Sequence, residues 1–144
     1  MLYIHIPFCV YKCAYCNFYS VVNMNSPDLY KKYLDALIKE LEIRIKDYKK
    51  NIETIYIGGG TPSIIGAKML EYFFNKLFEV INKNNNDKIK EITIEFNIND
   101  INKESLKVIS QIKNIRLSIG IQTFNEESLK IINRKTDKND IIEA

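Results

Sequence analysis

The chain holds its three cysteines, Cys9, Cys13 and Cys16, in one short stretch near its start, HIPFCVYKCAYCNFYS. Their spacing, Cys-x3-Cys-x2-Cys, lets a tight loop bring three thiolates around one centre. Three thiolates suit three of the four irons of a [4Fe-4S] cluster and leave the fourth iron without a protein ligand. The spacing therefore favours an iron-sulfur site with one position open to a substrate or cofactor.

Two other uses of the cysteines stay open. Zinc is one, because His5 lies just ahead of Cys9 and three cysteines with one histidine form a known closed structural site. His5, however, belongs to a β-patterned segment, where its side chain is expected to point to one face of a sheet. A buried helix is the other, since positions i, i+4 and i+7 share a helix face. Pro7 and the surrounding aromatic residues disfavour a plain core helix.

A second candidate site is the run of three glycines in IYIGGGTPS. Glycines at the C-terminal end of a buried strand allow positive φ and let the backbone approach a ligand closely. Parallel α/β folds bind ligands at this end of their strands. The stretch matches neither Gly-x-Gly-x-x-Gly nor Gly-x4-Gly-Lys-[Ser/Thr], which excludes ordinary dinucleotide and P-loop sites. A tight turn without a ligand remains the alternative.

Three further polar residues lie at or beyond predicted strand ends. Glu95 is placed where its carboxylate could receive an amine or a ribose hydroxyl, and Gln122 comes just past the fourth strand. Arg134 follows the last complete helix and could pair with a carboxylate through two hydrogen bonds. Each alone fits a surface group or a cap, so only their shared position at one end of the sheet indicates a site.

Hydrophobic periodicity predicts four strand-helix units in series. The predicted strands cover residues 2–6, 54–60, 91–98 and 115–121. The predicted helices are SPDLYKKYLDALIKELEIRIKDY, AKMLEYFFNKLFEVIN, KESLKVISQI and NEESLKIIN. This alternation predicts an α/β fold with a parallel sheet and right-handed crossovers, either an open sheet or part of a β/α barrel.

Local signals set the expected helix ends. Ser26 is predicted to cap the first helix, with Pro27 at its first position, and Asn125 to cap the fourth. The polar stretch 82–90 is predicted to be a surface loop. The apolar stripe predicted for the first helix is Leu29, Tyr33, Leu37, Leu41 and Ile45.

The last residues predict a further helix, capped by Asp140 and starting at Ile141. A parallel sheet that stops there would leave an open edge and an uncovered apolar face. We therefore expect the chain to be the front part of a larger domain.

Length and composition limit the class of protein. With 144 residues the chain has room for one ordinary domain. A net charge of +3, with lysines scattered along the chain, gives no support to nucleic-acid binding. No apolar run approaches the roughly 20 residues that a membrane helix needs, and no signal peptide is evident, so a cytoplasmic protein is expected. An odd number of clustered cysteines argues against a disulfide framework.

Four segments together resemble a known family. YIHIPFCVYKCAYCNFYS, YIGGGTPS, ITIEFN and RLSIGIQTFNEESLKIINR, in this order, are similar to the N-terminal half of radical S-adenosylmethionine (SAM) proteins of the oxygen-independent coproporphyrinogen III oxidase family. The resemblance implies the first four units of a partial (β/α)6 barrel. Residues 1–144 would then be the N-terminal part of a single core domain, without the later barrel units and the helical C-terminal domain.

The resemblance also implies a cofactor site. The three cysteines would hold a [4Fe-4S] cluster whose open iron is chelated by the amino and carboxylate groups of SAM. Electron transfer from the reduced cluster would cleave SAM to methionine and a 5'-deoxyadenosyl radical, so that the cofactor performs the hard chemistry. The implied cofactor-contacting residues are Tyr3 and Tyr15 beside cofactor and cluster, Gly59, Gly60 and Thr61 at the methionine end, and Glu95, Gln122 and Arg134.

One position separates two branches of this family. In the decarboxylating branch the third cluster cysteine is followed, after one residue, by another cysteine, whereas here Cys16 and Asn17 are followed by Phe18. The Cys-x-Phe pattern resembles the haem-chaperone branch, called coproporphyrinogen oxidase-like. The resemblance implies haem or a porphyrin(ogen) as ligand, a haem-acceptor protein, and a reductant such as flavodoxin or ferredoxin. The alternatives are the coproporphyrinogen III dehydrogenase itself, and a zinc-stapled or inactive α/β fragment; whether the chain is an enzyme stays open.

Two segments depart from the family pattern. The usual Glu-x-Asn-Pro or Glu-x-Asp-Pro reads Glu95-Phe96-Asn97-Ile98, so the proline that fixes the turn is missing. The usual Gly-Arg-x-His reads Asn133-Arg134-Lys135-Thr136. Both changes keep the proposed ligands but leave the turn geometry and any role of the histidine in question.

Overall fold

A computed structural model describes residues 1–22, 26–48, 51–84 and 88–144. Its centre is a four-stranded sheet in which every pair of neighbours is parallel. In the order β1-β4-β5-β6 its strands are Leu2–Ile6, Thr54–Gly59, Glu91–Asn97 and Ile115–Gly120. Two short strands that the sequence did not indicate, β2 (Phe8–Cys9) and β3 (Val21–Val22), pair with each other at the two ends of the cysteine loop.

Helices follow the long strands, as the periodicity predicts. They are α1 (Pro27–Arg44), α2 (Gly66–Lys83), α3 (Lys103–Ser110), α4 (Glu126–Ile131) and α5 (Lys138–Glu143). Short 3-10 turns cover Ile45–Asp47, Pro62–Ile65 and Ile98–Asp100. The predicted α/β fold with a parallel sheet is confirmed.

The two faces of the sheet differ in chemistry because side chains alternate along each strand. On one face, the aligned residues Ile4, Ile57, Ile94 and Leu117 form an apolar row that packs in the main core. On the other face, the neighbouring row is Tyr3, Tyr56, Thr93 and Arg116. The sheet therefore has one face in the helix-lined core and one polar face.

The helix caps agree with the prediction in two cases and differ in one. Ser26 Oγ accepts a hydrogen bond from the Leu29 amide at 3.3 Å, and Asn125 Oδ1 accepts one from Ser128 at 2.9 Å. The assignment of Asp140 as a cap is wrong, because Asp137 caps α5 and Asp140 is its third residue. The two form a capping box, in which each side chain bonds the backbone amide of the other.

The predicted stripe of α1 is also displaced. Leu29, Tyr33 and Leu37 lie at the margin of the core and are only partly buried. The fully buried stripe is shifted by one residue over most of the helix, so the two stripes share only the last two positions. It consists of Tyr30, Leu34, Ile38, Leu41 and Ile45. Both sets are apolar and helically spaced, so periodicity alone did not choose between them. In the stretch predicted as a surface loop, Asn82 and Lys83 belong to α2, and residues 85–87 lie outside the described residues.

The two departures from the family pattern have local explanations. Asn133 has φ of 55°, the left-handed conformation that glycine adopts most easily and asparagine tolerates, so it can stand in for the usual glycine. Ile98 starts a 3-10 turn that the Asn97 side chain caps, and it is buried against Leu129 and Ile141. The turn therefore forms without proline. Thr136, in place of the usual histidine, is buried and donates a hydrogen bond to Asn99.

The glycine run packs against the segment that leads into the first cysteine. Gly59 has φ of 125°, and a Cβ there would come within 2.8 Å of the Ile6 carbonyl oxygen. A Cβ on Gly60 would lie 2.7 Å from the carbonyl oxygens of both Pro7 and Phe8. The Gly60 amide donates to Ile6 at 2.9 Å and the next amide donates to Phe8 at 2.8 Å. The glycines thus permit close backbone packing, a use that the sequence did not distinguish from ligand binding.

Within the described residues, no helix has the length and apolarity required to cross a membrane.

Gly60→Ala is expected to destabilise the chain by about 1–3 kcal/mol, because its methyl group would overlap backbone atoms that cannot rotate away. Gly120→Ala is the milder control, since the atom nearest to an added Cβ there is the side-chain end of Gln122, at 3.2 Å. Urea unfolding, monitored by circular dichroism, gives the free energy of unfolding of both variants. Equal free energies of unfolding for the two variants would contradict the packing described for Gly60.

Candidate functional site

The cysteine loop is held from outside by the segment that joins α4 to α5. The Ala14 amide donates to the Ile132 carbonyl at 3.0 Å, and Asn133 Nδ2 donates to the Lys12 carbonyl at 2.8 Å. The Lys135 amide donates to the Tyr11 hydroxyl at 3.0 Å. Residues more than a hundred positions apart in sequence therefore fix the loop conformation.

A lysine side chain also braces the loop from within. Lys12 Nζ donates to the Phe18 carbonyl at 2.7 Å and to Ser20 Oγ at 3.1 Å. The Cys16 amide donates to the Cys13 carbonyl at 3.2 Å, which makes a turn between these two cysteines. The loop is not a plain helix, as the sequence predicted.

All three cysteines line one small cavity. Cys9, Cys13 and Cys16 are half-buried, unpaired by disulfides, and line a space of about 70 Å³. Arg134 and Thr61 line the same space. Among the described residues, no three His, Cys, Asp or Glu side chains are close enough to share a single metal ion. Zinc would need all its sulfur ligands about 2.3 Å from one point, whereas a cluster spreads its thiolates over separate irons, so the donor set fits a cluster better.

His5 is engaged elsewhere, as its strand position predicts. Its Nδ1 lies 3.0 Å from the Tyr3 hydroxyl and its Nε2 lies 3.1 Å from the Tyr19 carbonyl oxygen. A carbonyl can only accept, so Nε2 donates to Tyr19, and Nδ1 is paired with the Tyr3 hydroxyl. Both ring nitrogens are thereby occupied, which removes the fourth ligand that a Cys3His zinc site would require.

A larger cavity of about 260 Å³ adjoins the space between the thiols. The two cavities share Tyr15, Cys16, Gly60, Thr61, Asn97 and Arg134. The volume is slightly below the range of about 300–1,000 Å³ that is typical of small-molecule sites. Two cavities of about 470 and 340 Å³ lie between α1 and β1 and include no cysteine.

Seven of the eight predicted cofactor residues line the larger cavity: Tyr15, Gly59, Gly60, Thr61, Glu95, Gln122 and Arg134. The eighth, Tyr3, lies on the polar face of the sheet, bonded to His5, and lines neither of the two cavities. The lining residues that sequence reasoning did not assign are Phe18, Phe96, Asn97, Ser118 and Gly120. Four of these belong to the C-terminal ends of β5 and β6, where parallel sheets bind ligands, and this signal could have found them.

Glu95 is fixed on β5 by two hydrogen bonds. Its Oε1 accepts from the Tyr56 hydroxyl at 2.7 Å and its Oε2 accepts from the Gly59 amide at 3.3 Å. The hydrogen bond to Glu95 and, to a smaller extent, burial raise the pKa of Tyr56 above its usual value. Tyr56 therefore stays protonated and keeps donating to the carboxylate at neutral pH.

Gln122 and Tyr15 form a second pair at the cavity. Gln122 has φ of 67°, a strained conformation for a residue other than glycine. With its amide oriented to satisfy both ends, Oε1 accepts from the Tyr15 hydroxyl at 3.2 Å and the nitrogen donates to the carbonyls of Gly120 and Ile121. Burial and, to a smaller extent, the electrostatic influence of Cys13 raise the pKa of Tyr15 to about 12. Tyr15 thus remains a hydrogen-bond donor throughout the physiological range.

Arg134 joins the strand ends to the cysteine loop. Its Nη2 donates to Asn97 Oδ1 at 3.1 Å and to the Gly120 carbonyl at 2.8 Å, while Nη1 lies 3.9 Å from Cys13 Sγ. Its Nε is buried and has no hydrogen-bond partner in the described part of the chain. A buried N–H group without an acceptor is costly, and an anionic or carbonyl group bound beside Arg134 would relieve that cost.

Known proteins with similar sequences carry haem-related names. The chain is 44% identical over 98 residues to "Heme chaperone HemW" of Buchnera aphidicola subsp. Schizaphis graminum, an alignment covering 67% of this chain and 25% of that protein. It is 37% identical over 109 residues to "Heme chaperone HemW" of Lactococcus lactis subsp. lactis, covering 75% and 26%. The chain thus spans about a quarter of the length of these relatives.

A solved structure matches almost the whole chain. It is described as "Coproporphyrinogen III oxidase (HemN) from Escherichia coli is a Radical SAM enzyme", with a TM-score of 0.80 and 30% identity. The match covers 99% of this chain and 32% of that one. The profile of the radical SAM superfamily matches residues 3–144. The chain therefore belongs to the radical SAM superfamily.

Proposed function

We propose that this chain binds a [4Fe-4S] cluster and SAM as the N-terminal part of a haem chaperone. Residues 1–144 would form the N-terminal part of a single core domain, with the first four units of a partial barrel. The observation that carries the proposal is the pair of adjoining cavities. One is lined by all three cysteines, and the other is lined by seven residues that the family resemblance assigns to cofactor binding.

The residues present fit the two cofactors. Cys9, Cys13 and Cys16 supply the thiolates for three irons, and the buried Nε of Arg134 offers a donor without a partner among the described residues. When bound, a reduced cluster would supply the electron for the reductive cleavage of SAM. The protein's own part is to position the cofactors and exclude water from them.

The surrounding side chains divide the work of holding SAM. Gly59, Gly60 and Thr61 would receive the methionine end at the C-terminal end of β4. Glu95, held by Tyr56 and the Gly59 amide, presents its carboxylate to an amine or a ribose hydroxyl. The remaining assigned contacts are Tyr3, Tyr15, Gln122 and Arg134, of which all but Tyr3 line the cavity.

Phe18 supports the haem-chaperone branch. Its side chain is 67% exposed and lines the larger cavity, at the position where the decarboxylating branch carries a further cysteine. An exposed aromatic ring can pack against a flat, apolar tetrapyrrole, whereas it cannot bind iron as a cysteine at this position would. The similarity to two proteins named haem chaperones points the same way. Haem as ligand, a haem-acceptor protein, a flavodoxin- or ferredoxin-type reductant and a cytoplasmic setting complete the proposal.

The second candidate is an oxygen-independent coproporphyrinogen III dehydrogenase. It is favoured by the structural match to a protein described as coproporphyrinogen III oxidase. The absence of the additional cysteine at Phe18 weighs against it.

Anaerobic reconstitution of the protein with iron and sulfide is expected to give a brown chain with about four irons, because three thiolates converge on one cavity. Cys9→Ser, Cys13→Ser and Cys16→Ser are each expected to lose most of this iron. Iron and sulfide analysis with the visible spectrum provides the readout. Tight zinc binding without iron uptake would instead support the zinc-stapled fragment.

Glu95→Gln is expected to weaken SAM binding about tenfold, since hydrogen bonds to charged groups contribute about 1.5–3 kcal/mol. Glu91→Gln is the control, because Glu91 lies at the opposite end of β5 and pairs with Arg116. Isothermal titration of the reconstituted proteins with SAM measures both dissociation constants. An unchanged constant for Glu95→Gln would remove Glu95 from the proposed site.

Haem titration and product analysis separate the two haem-related functions. The reconstituted protein is expected to bind haem, seen as a shifted Soret band, and to form no protoporphyrinogen from coproporphyrinogen III, SAM and dithionite. Decarboxylated product, together with no haem binding, would favour the dehydrogenase.

A further inference from the structure

In the described part of the chain, two side-chain donors from outside the cysteine loop reach the sulfur atoms of the cluster cysteines. Thr61 Oγ1 lies 3.5 Å from Cys9 Sγ, and Arg134 Nη1 lies 3.9 Å from Cys13 Sγ. A metal-bound cysteine is a thiolate and has no hydrogen to give. With iron bound, the hydroxyl of Thr61 must therefore be the donor in the first contact, as the guanidinium is in the second.

Both donors are held in place by bonds that do not involve a cofactor. The Thr61 amide donates to the Phe8 carbonyl at 2.8 Å, immediately before Cys9 in the chain. Arg134 is anchored through Nη2 to Asn97 and Gly120, and its amide donates to the Leu129 carbonyl at 2.8 Å. The two contacts to sulfur are consequently preorganised by the fold.

Such contacts affect the two redox states of a cluster unequally. One-electron reduction adds negative charge to the cluster and its thiolates, and no bond to the protein forms or breaks in this step. Hydrogen bonds and a nearby positive charge stabilise the more negative form, which raises the reduction potential. The Arg134 guanidinium is half-buried, so water screens its charge less than it screens a fully exposed one.

We propose that Thr61 and Arg134 raise the reduction potential of the cluster by donating hydrogen bonds to the sulfur atoms of Cys9 and Cys13. This inference rests on the proposed cluster. It gives the two residues a role through the cysteines, in addition to the SAM contacts that the resemblance implies for them. Both are thus positioning residues, and the reduction potential is the property that distinguishes this role from simple packing.

The test compares the reduction potentials of reconstituted variants. Each variant is titrated with dithionite, and electron paramagnetic resonance measures the fraction of reduced cluster. Thr61→Val keeps the shape of the side chain but removes the donor, and Arg134→Met removes both donor and charge. Each is expected to lower the ratio of reduced to oxidised cluster at a fixed potential by about fivefold to tenfold. A tenfold change corresponds to about 59 mV for a one-electron couple.

The matched controls make the same two substitutions, threonine to valine and arginine to methionine, on the polar face of the sheet. Thr93→Val and Arg116→Met remove a pair that bonds to each other, with Arg116 Nε donating to Thr93 Oγ1 at 3.1 Å, and both are expected to keep the wild-type potential. Thr61→Ser retains the hydroxyl and is expected to restore the wild-type ratio. Arg134→Lys, which keeps the charge but not the planar donor, is expected to lower the ratio about threefold and replaces Arg134→Met if that variant takes up no iron.

An unchanged potential in Thr61→Val together with an unchanged potential in the Arg134 variant would overturn the inference. Equal shifts in the Thr93 and Arg116 controls would overturn it too. These outcomes require a wild-type chain that carries the cluster, so they leave the proposed function intact. A wild-type chain that takes up no cluster would refute the proposed function and, with it, this inference.

Discussion

The arrangement of the site depends on one close approach, between the glycine end of β4 and the backbone that runs from Ile6 to Cys9. Carbonyl oxygens of that segment occupy the space where side chains on Gly59 and Gly60 would lie. This packing allows two successive amides to donate into the segment, and it brings Thr61 against Cys9. The same strand end therefore positions the first thiol and forms a wall of the neighbouring cavity.

Arg134 provides the complementary connection from the far end of the sequence. It bonds the ends of β5 and β6 and contacts Cys13, while its neighbours Asn133 and Lys135 hold the outside of the loop. The cysteine loop, which contains almost no regular secondary structure, is thus fixed at one side by β4 and at the other by the α4-α5 connection. A loop held in this way can present three thiolates without paying the full entropy of ordering them when a cluster binds.

Much of this could be predicted from the sequence, and the differences have physical causes. Strand and helix order followed from periodicity, and Ser26 and Asn125 were correct caps because their side-chain bonds are local. The predicted stripe of α1 differs from the buried one because Leu29 and Tyr30 are both apolar. Which of them faces the sheet depends on how the helix packs against it. The cap predicted at Asp140 lies at Asp137 instead. The two positions carry the same side chain, so residue type alone does not distinguish them. Lys12 and Asn133 were missed because their roles depend on contacts across the fold rather than on a motif.

The most direct measurement of the central claim is the electron paramagnetic resonance spectrum of the reconstituted, dithionite-reduced protein with and without SAM. A cluster with one iron free of protein ligands should give a reduced-cluster signal whose g values change when SAM coordinates that iron. This change is expected in the wild-type protein, and Cys13→Ser is expected to abolish the signal. A reduced cluster whose spectrum is identical with and without SAM would contradict the central claim.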